Sequence, residues 1–117
     1  MNKLHPGLTI RLFTEEKCFG PGVARLLRQV EQLHSLRAAA ISMQMAYSKA
    51  WTIVKKAERE LGFPLLVSTT GGRSGGGATL TPEALRLLES YEAFCRQLNE
   101  EAETAFRTHF SWLEQGD

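Results

Sequence analysis

The chain has few of the features that mark secreted, membrane or metal-binding proteins. Its 117 residues include two cysteines and three histidines, and no apolar run approaches the ~20 residues of a membrane helix. Cys18 and Cys95 lie far apart and form no CxxC pair, which favours reduced thiols over a disulfide or a zinc site. The first residues lack the apolar core of a secretory signal. We therefore expect a soluble, cytoplasmic protein with no membrane partner.

Catalytic and cofactor signals are also missing. No nucleophile, base and orienting group can be assembled, and no histidine has cysteine or carboxylate partners at metal-ligand spacing. The glycine-rich run Gly71–Gly77 is not a phosphate-binding loop, because neither Lys-Ser nor Lys-Thr follows it. The sequence predicts no enzyme, no metal and no cofactor. It identifies no small-molecule effector.

The net charge of +1 conceals an uneven distribution along the chain. Residues 1–81 carry 11 lysines and arginines against 5 acidic residues, a net charge of +6. Residues 82–117 carry 3 basic and 8 acidic residues, a net charge of −5. Such a basic body with an acidic end fits a module that attracts phosphates with one part only. Chance clustering of solvating charges gives the same numbers, so this asymmetry alone decides little.

Three helices are predicted between the Gly20–Gly22 break and Gly62. The first has an apolar stripe at helical spacing, made by Val23, Leu26, Leu27, Val30 and Leu33. The second runs from Leu36 to about Ser42 with Ser35 as its N-cap, and its alanines allow close packing. The third, from about Ala46 to Leu61, has Ala50, Val54, Ala57 and Leu61 on its inward face and ends at Gly62. A short half-buried strand is expected before them, from Leu8 to Phe13.

A β-hairpin and one long helix should complete the chain. Leu65–Val67 and Ala78–Leu80 read as the strands of a hairpin whose tip is the glycine-rich run. Thr81-Pro82-Glu83 is a strong helix start, and the helix should continue to about Trp112. The fold class is therefore mainly α with a small β-hairpin wing, a winged helix-turn-helix with a long C-terminal dimerisation helix. We divide it into a DNA-binding domain, residues 1–81, and a continuous linker helix, residues 82–117.

The segment from Ser35 to about Phe94 resembles the N-terminal DNA-binding domain of ModE-type, molybdate-responsive transcription regulators. It more distantly resembles the winged helix-turn-helix of LysR-type regulators. The matching motifs are Ala46–Trp51 in the third helix, Ala57–Leu66 at its end, Thr70–Ala78 in the wing and Leu80–Ala84 at the start of the linker helix. The resemblance implies a bacterial transcription regulator that dimerises through its first and last helices.

The chain also departs from these families at three points. Gln44 occupies the turn position where glycine is frequent, and Ser68–Thr70 stands where LysR-like sequences place an arginine, so one phosphate contact is expected to be absent. In the ModE family an oxyanion-binding domain follows the linker helix, whereas these residues stop at Asp117. Molybdate sensing is therefore not carried over.

The outward face of the third helix is the candidate DNA-reading surface. Its members are polar or basic: Tyr47, Ser48, Lys49, Thr52, Lys55, Lys56 and Arg59. Residues near the start of such a helix meet base edges, and later residues meet phosphates. Lys49 is the candidate donor to guanine, and Ser48 and Thr52 suit either base edges or backbone. For Lys55, Lys56 and Arg59, phosphate contact and simple solvation both remain open.

Two further side chains near this surface are interpreted differently. Trp51 could either pack under the helix or reach the DNA backbone through its indole N–H. Core packing is the favoured expectation, since large aromatic residues are mostly buried. Arg73 lies among glycines at the wing tip, where it would reach a minor groove or phosphate. A loop that binds nothing is an equal alternative for Arg73.

The last helix carries the dimerisation signal. Apolar and small residues recur every three or four positions over about 26 residues, which is typical of a helix that packs along its length against another helix. The predicted dimer contacts are Leu88, Tyr91, Cys95, Leu98 and Ala102. The sequence thus predicts a homodimer that binds double-stranded DNA sequence-specifically. The alternative is a winged-helix protein-docking module without specific DNA binding.

Overall fold

The residues that the structure describes form four helices and two small hairpins. In the computed structural model, residues 3–69 and 77–114 are described, so the wing tip and Arg73 lie outside the described residues. In chain order the elements are β1 (Leu12–Phe13), β2 (Lys17–Phe19), α1 (Pro21–Leu33), α2 (Leu36–Ser42), α3 (Tyr47–Leu61), β3 (Leu66–Thr69), β4 (Gly77–Leu80) and α4 (Pro82–Phe110). A short 3-10 turn, Ser111–Glu114, follows α4. The predicted fold class is confirmed.

Local signals in the sequence set most helix boundaries. The Ser35 hydroxyl accepts a hydrogen bond from the backbone N–H of Ala38 at 3.0 Å and caps α2. The Thr81 hydroxyl does the same for α4, accepting from the backbone N–H of Ala84 at 3.0 Å. Gly62 ends α3 with φ of 87°, a conformation that glycine adopts without strain. Gln44 takes the same left-handed region, with φ of 58°, so the turn between α2 and α3 forms without a glycine.

The first hairpin corrects one sequence expectation. The strand expected over Leu8–Phe13 is reduced to Leu12–Phe13, which pairs antiparallel with Lys17–Phe19. The earlier residues are held differently: the Tyr91 hydroxyl donates to the backbone oxygen of Ile10 at 2.6 Å. This hydrogen bond ties Ile10 to α4, and the Ile10 side chain also packs against the core. Burial raises the pKa of Tyr91 to about 12, so its hydroxyl stays a donor at neutral pH.

The core lies where α1, α2, α3 and the start of α4 meet. Leu26, Leu27, Val30 and Leu88 are fully buried there. Two alanines of α2 and two of α3 are buried with them: Ala39, Ala40, Ala50 and Ala57. Leu33, predicted on the inward stripe of α1, is exposed because it is the last residue of the helix. Arg28 joins α1 to α4 through two hydrogen bonds from its guanidinium to the Glu92 carboxylate, at 2.6 and 3.0 Å. These bonds hold the pKa of Glu92 below its usual range.

The second half of α4 extends away from this core. Its buried residues are Ala84, Leu88 and Tyr91, all within the first ten positions of the 29-residue helix. A helix of that length spans ~43 Å, which accounts for much of the longest dimension of the molecule, 66 Å. Among the described residues no helix is long and apolar enough to cross a membrane.

Candidate nucleic-acid interface

Helix α3 presents its polar face to solvent as the sequence predicts. Ala50, Val54 and Ala57 are buried against α1 and α2, and Leu61 is half-buried at the end of the helix. On the outside, the predicted site residues Tyr47, Ser48, Lys49, Thr52, Lys55 and Arg59 are all exposed. The structure therefore places these six side chains on one accessible surface.

Internal contacts distinguish the basic residues of α3 from one another. Lys56 is half-buried, and its ammonium lies 3.3 Å from the Glu16 carboxylate of the first hairpin. Lys55 lies 3.3 Å from the carboxylate of Glu58. Lys49 and Arg59 take part in none of the ion pairs found among the described residues. Lys49 and Arg59 are therefore available to an anionic ligand without losing an ion pair, whereas Lys55 and Lys56 are each already partly neutralised.

Trp51 corrects the sequence interpretation. The expectation that it packs in the core is wrong, because 48% of its surface is exposed. The inward face of α3 consists of small residues, which bring the neighbouring helices close and leave no volume for an indole. Trp51 instead lies beside the outward face, and the Lys55 ammonium sits 5.6 Å from the centre of its ring.

A groove runs between α2, α3 and the wing, with a volume of about 780 Å³. Its wall on the α3 side includes Tyr47 and Trp51, and its wall on the wing side includes Ser68 and Thr69. From α2 it receives Arg37, whose guanidinium lies 4.2 Å from the centre of the Tyr47 ring. We name this feature the α2–α3–wing groove. Sequence reasoning missed Arg37, because nothing local indicates that α2 and the start of α3 converge.

Glu58 is a second residue that sequence reasoning missed. Its carboxylate accepts a hydrogen bond from the backbone N–H of Leu65 at 2.7 Å and lies 3.5 Å from that of Leu66. The Thr81 hydroxyl secures the same segment by donating to the Pro64 oxygen at 2.8 Å. Glu58 thus ties the end of α3 to the beginning of the wing. Together with the Thr81 hydroxyl, this carboxylate fixes the segment between the exposed helix and the hairpin.

Removing the Glu58 carboxylate should loosen the wing and destabilise the fold. In Glu58→Ala the buried N–H of Leu65 loses its acceptor, at a cost of about 1–3 kcal/mol in free energy of unfolding. Urea unfolding followed by circular dichroism measures this loss, and Glu58→Gln should recover part of it because an amide oxygen still accepts. Glu60→Ala is the matched control, since the Glu60 carboxylate accepts from the exposed Thr14 hydroxyl instead. Equal losses in the two alanine variants would contradict the assigned role.

Metal chemistry finds no support in the described part of the chain. Residues 3–69 and 77–114 contain no group of three histidine, cysteine or acidic side chains close enough to hold an ion. Cys18 is buried and Cys95 is half-buried, each as a free thiol. The arrangement is an exposed, partly basic helix beside a groove and a hairpin.

Comparison with known proteins identifies this arrangement. Residues 23–85 match the family model for the bacterial regulatory helix-turn-helix protein of the LysR family, a family of regulators and not of enzymes. The chain is 36% identical over 85 residues to the transcriptional regulator ModE of Haemophilus influenzae, which covers 73% of this chain and 33% of that protein. It is 30% identical over 86 residues to the DNA-binding transcriptional dual regulator ModE of Escherichia coli K12, covering 73% and 32%.

A solved structure agrees at the level of the fold. ArgP from Mycobacterium tuberculosis superposes with a TM-score of 0.51 at 24% identity, over 74% of this chain and 30% of that one. The chain thus spans about a third of the length of these relatives. Both expected resemblances, to LysR-type and to ModE-type regulators, are confirmed. Because the family model matches more than half of its residues, this chain belongs to the LysR family of bacterial regulatory helix-turn-helix proteins.

Proposed function

We propose that this protein is a sequence-specific, DNA-binding transcription regulator that acts as a homodimer. The observation that carries the proposal is the unobstructed outward face of α3, flanked by α2 on one side and the wing on the other. A helix presented in this way fits the major groove of duplex DNA, where side chains from its first turns meet base edges. The net charge of +6 over residues 1–81 supplies the electrostatic attraction.

Each exposed residue of α3 has a proposed part in this complex. Lys49 donates to a guanine, and Ser48 and Thr52 contact base edges or the backbone beside it. Tyr47 lies at the first position of the helix, where it borders the groove. Arg59 neutralises a phosphate, and Lys55 contacts a second phosphate while it shares its charge with Glu58. Arg73 extends the contact to the flank. Lys56 contributes to the positive electrostatic potential of this surface while it remains paired with Glu16.

The dimer contact is proposed on the part of α4 that extends from the core. Cys95, Leu98 and Ala102 continue the apolar stripe of the helix but are only half-buried in the isolated subunit. Leu88 and Tyr91, from the same predicted set, are buried within the subunit, where they pack α4 against the core. Exposed Phe94 and Phe110, 45% and 43% accessible, flank the stripe. A second copy of α4 would remove this apolar surface from water.

An antiparallel arrangement of the two helices suits the fold. The start of each stripe is occupied by the subunit's own core, and an antiparallel partner keeps the two bodies at opposite ends of the helix pair. The proposed site is a two-fold related sequence with half-sites about one or more turns of B-DNA, ~34 Å each, apart.

Lys49 and Arg59 offer a direct test of the division between base reading and phosphate contact. We expect Lys49→Ala to lose about 1–3 kcal/mol on a selected duplex and much less on random DNA. Arg59→Ala should weaken both duplexes alike and reduce the slope of log K against log salt by about one. Arg59 replaces Lys56 as the phosphate probe because Lys56 is engaged by Glu16. Fluorescence anisotropy at several salt concentrations measures both quantities.

The same titration tests the function itself. Duplexes are first selected from a random pool or from genomic fragments by retention on the protein. A regulator that reads sequence should enrich a two-fold related motif and bind it far more tightly than the unselected pool. Retention that is absent even at low salt would reject the proposal. Identical losses for Lys49→Ala and Arg59→Ala on both kinds of DNA would reject the assigned roles.

A further inference from the structure

The α2–α3–wing groove is lined by exposed apolar side chains, which have no role in binding phosphates. Ile41, at the end of α2, is 70% exposed, and Trp51 is 48% exposed. Both line the groove, as does Tyr47. Among the residues that the structure describes, none covers the exposed fraction of these side chains. Exposed apolar side chains that line one groove rimmed by polar residues commonly mark a binding site.

The charges around this surface indicate a polyanionic partner. Arg37 and Lys55 lie over the rings of Tyr47 and Trp51, so cations flank the apolar side chains on both helices. Glu58 also lines the groove, but its carboxylate is engaged by the Leu65 amide and by Lys55. A partner that combines negative charge with small apolar groups matches this pattern. Duplex DNA has both in its major groove: phosphates along the rims and the C5-methyl group of each thymine on the floor.

The position of Trp51 on α3 agrees with contact to a base. It lies in the first half of the helix, next to Thr52 and one turn after Tyr47 and Ser48. In a helix-turn-helix complex this part of the recognition helix is closest to the base edges. The Thr52 hydroxyl is turned back to the Ser48 backbone oxygen, at 2.9 Å. Because the Thr52 hydroxyl is engaged in this way, the exposed Trp51 indole is a candidate for base contact on this part of the helix.

We propose that Trp51, assisted by Ile41, is a specificity-determining residue that reads thymine through its C5-methyl group. This inference rests on the proposed function and deepens it. The indole face and the isoleucine side chain form an apolar contact for the methyl group, while Arg37 and Lys55 hold the adjacent phosphates. Cytosine has a hydrogen in place of the C5-methyl group and an amino group in place of O4, so it is disfavoured at the contacted position.

Replacement of thymine by deoxyuridine tests the inference, because it removes only the methyl group. The probe is the duplex selected by the wild-type protein, with each thymine replaced by deoxyuridine in turn. For wild type we expect one or two positions per half-site where the affinity falls about threefold to fivefold, the value of one buried methyl group. In Trp51→Ala the affinity for the thymine duplex should fall, and the difference between the two duplexes should disappear at those positions. Ile41→Ala should reduce the difference in part.

Two controls make the result specific to the groove. Trp112→Ala removes the other tryptophan of the chain, which is 64% exposed beyond the end of α4, and should leave the wild-type profile unchanged. Trp51→Phe retains an apolar ring and should keep part of the methyl sensitivity. Because Trp51 is half exposed, these variants should fold, and circular dichroism confirms it. If one variant fails to fold, the wild-type profile still decides: a selected duplex with no methyl-sensitive thymine overturns the inference.

The possible failures are distinguishable. If no sequence is enriched from the random pool, the proposed function fails and the inference falls with it. Suppose that a motif is enriched but Trp51→Ala loses affinity at the same deoxyuridine positions as wild type. The function then stands and the inference is wrong. Unchanged DNA affinity in Trp51→Ala would instead assign the apolar surface to a protein partner. A uniform loss on every duplex would assign Trp51 to the phosphate backbone, and this also overturns the proposal.

Discussion

Replacing Leu98 by glutamate is expected to leave each subunit folded but to abolish the homodimer. The substitution places a charge in the middle of the half-buried stripe of α4, where a partner helix would have to desolvate it. Loss of the dimer converts two linked contacts with DNA into one. We therefore expect the affinity for a two-fold related duplex to fall by about 100-fold or more. Analytical ultracentrifugation measures the association, and anisotropy measures the DNA affinity.

Gln97→Glu is the charge-matched control for this experiment. It adds the same charge one residue earlier on α4, at an exposed position whose amide donates to Glu101. We expect this variant to remain dimeric and to bind DNA within a fewfold of wild type. A Leu98→Glu protein that sediments as the wild-type dimer would refute the proposed contact. So would a wild-type protein that stays monomeric at every concentration tested.

Truncating Leu88 should have the largest effect on the stability of the subunit itself. This side chain is fully buried between α4 and the rest of the core. Leu88→Ala leaves a cavity in a close-packed interior, and such substitutions cost about 2–5 kcal/mol in free energy of unfolding. Urea unfolding at several protein concentrations gives this value. We expect the loss to be the same at each concentration, because Leu88 stabilises one chain.

Leu98→Ala, on the same helix, is the variant with which the stability loss of Leu88→Ala is compared. The substitution is chemically identical, but Leu98 is only half-buried and lies on the proposed dimer contact. Its effect should be small at low protein concentration and should grow where the dimer is populated. A Leu88→Ala loss that depends on concentration, or equal losses in both variants, would show that the two leucines share one role.

The boundaries of the helices could be predicted from the sequence because they depend on neighbouring residues. Ser35 and Thr81 cap the helices that they precede, and Gly62 supplies the left-handed residue after α3. The outward face of α3 follows from the spacing of Ala50, Val54 and Ala57 alone. The LysR-type and ModE-type resemblance was also visible in these local motifs.

Contacts between distant segments could not be predicted from the sequence. The link from Glu58 to Leu65, the stacking of Arg37 on Tyr47 and the bond from Tyr91 to Ile10 each join residues whose meeting depends on the whole fold. The expected burial of Trp51 is wrong for a related reason. Residue type suggests burial, but the available volume depends on how closely the helices approach one another. The roles of Leu88 and Leu98 differ in the same way, although both belong to one periodic stripe.

The sequence by itself determined the order of elements, the helix ends and the basic face of α3, because capping, periodicity and charge act over a few residues. Only the tertiary structure decided which part of the α4 stripe is already buried, which cations are paired and that an indole borders the groove. Those outcomes depend on packing density and on distances between segments far apart in the chain, and neither is encoded at a single position.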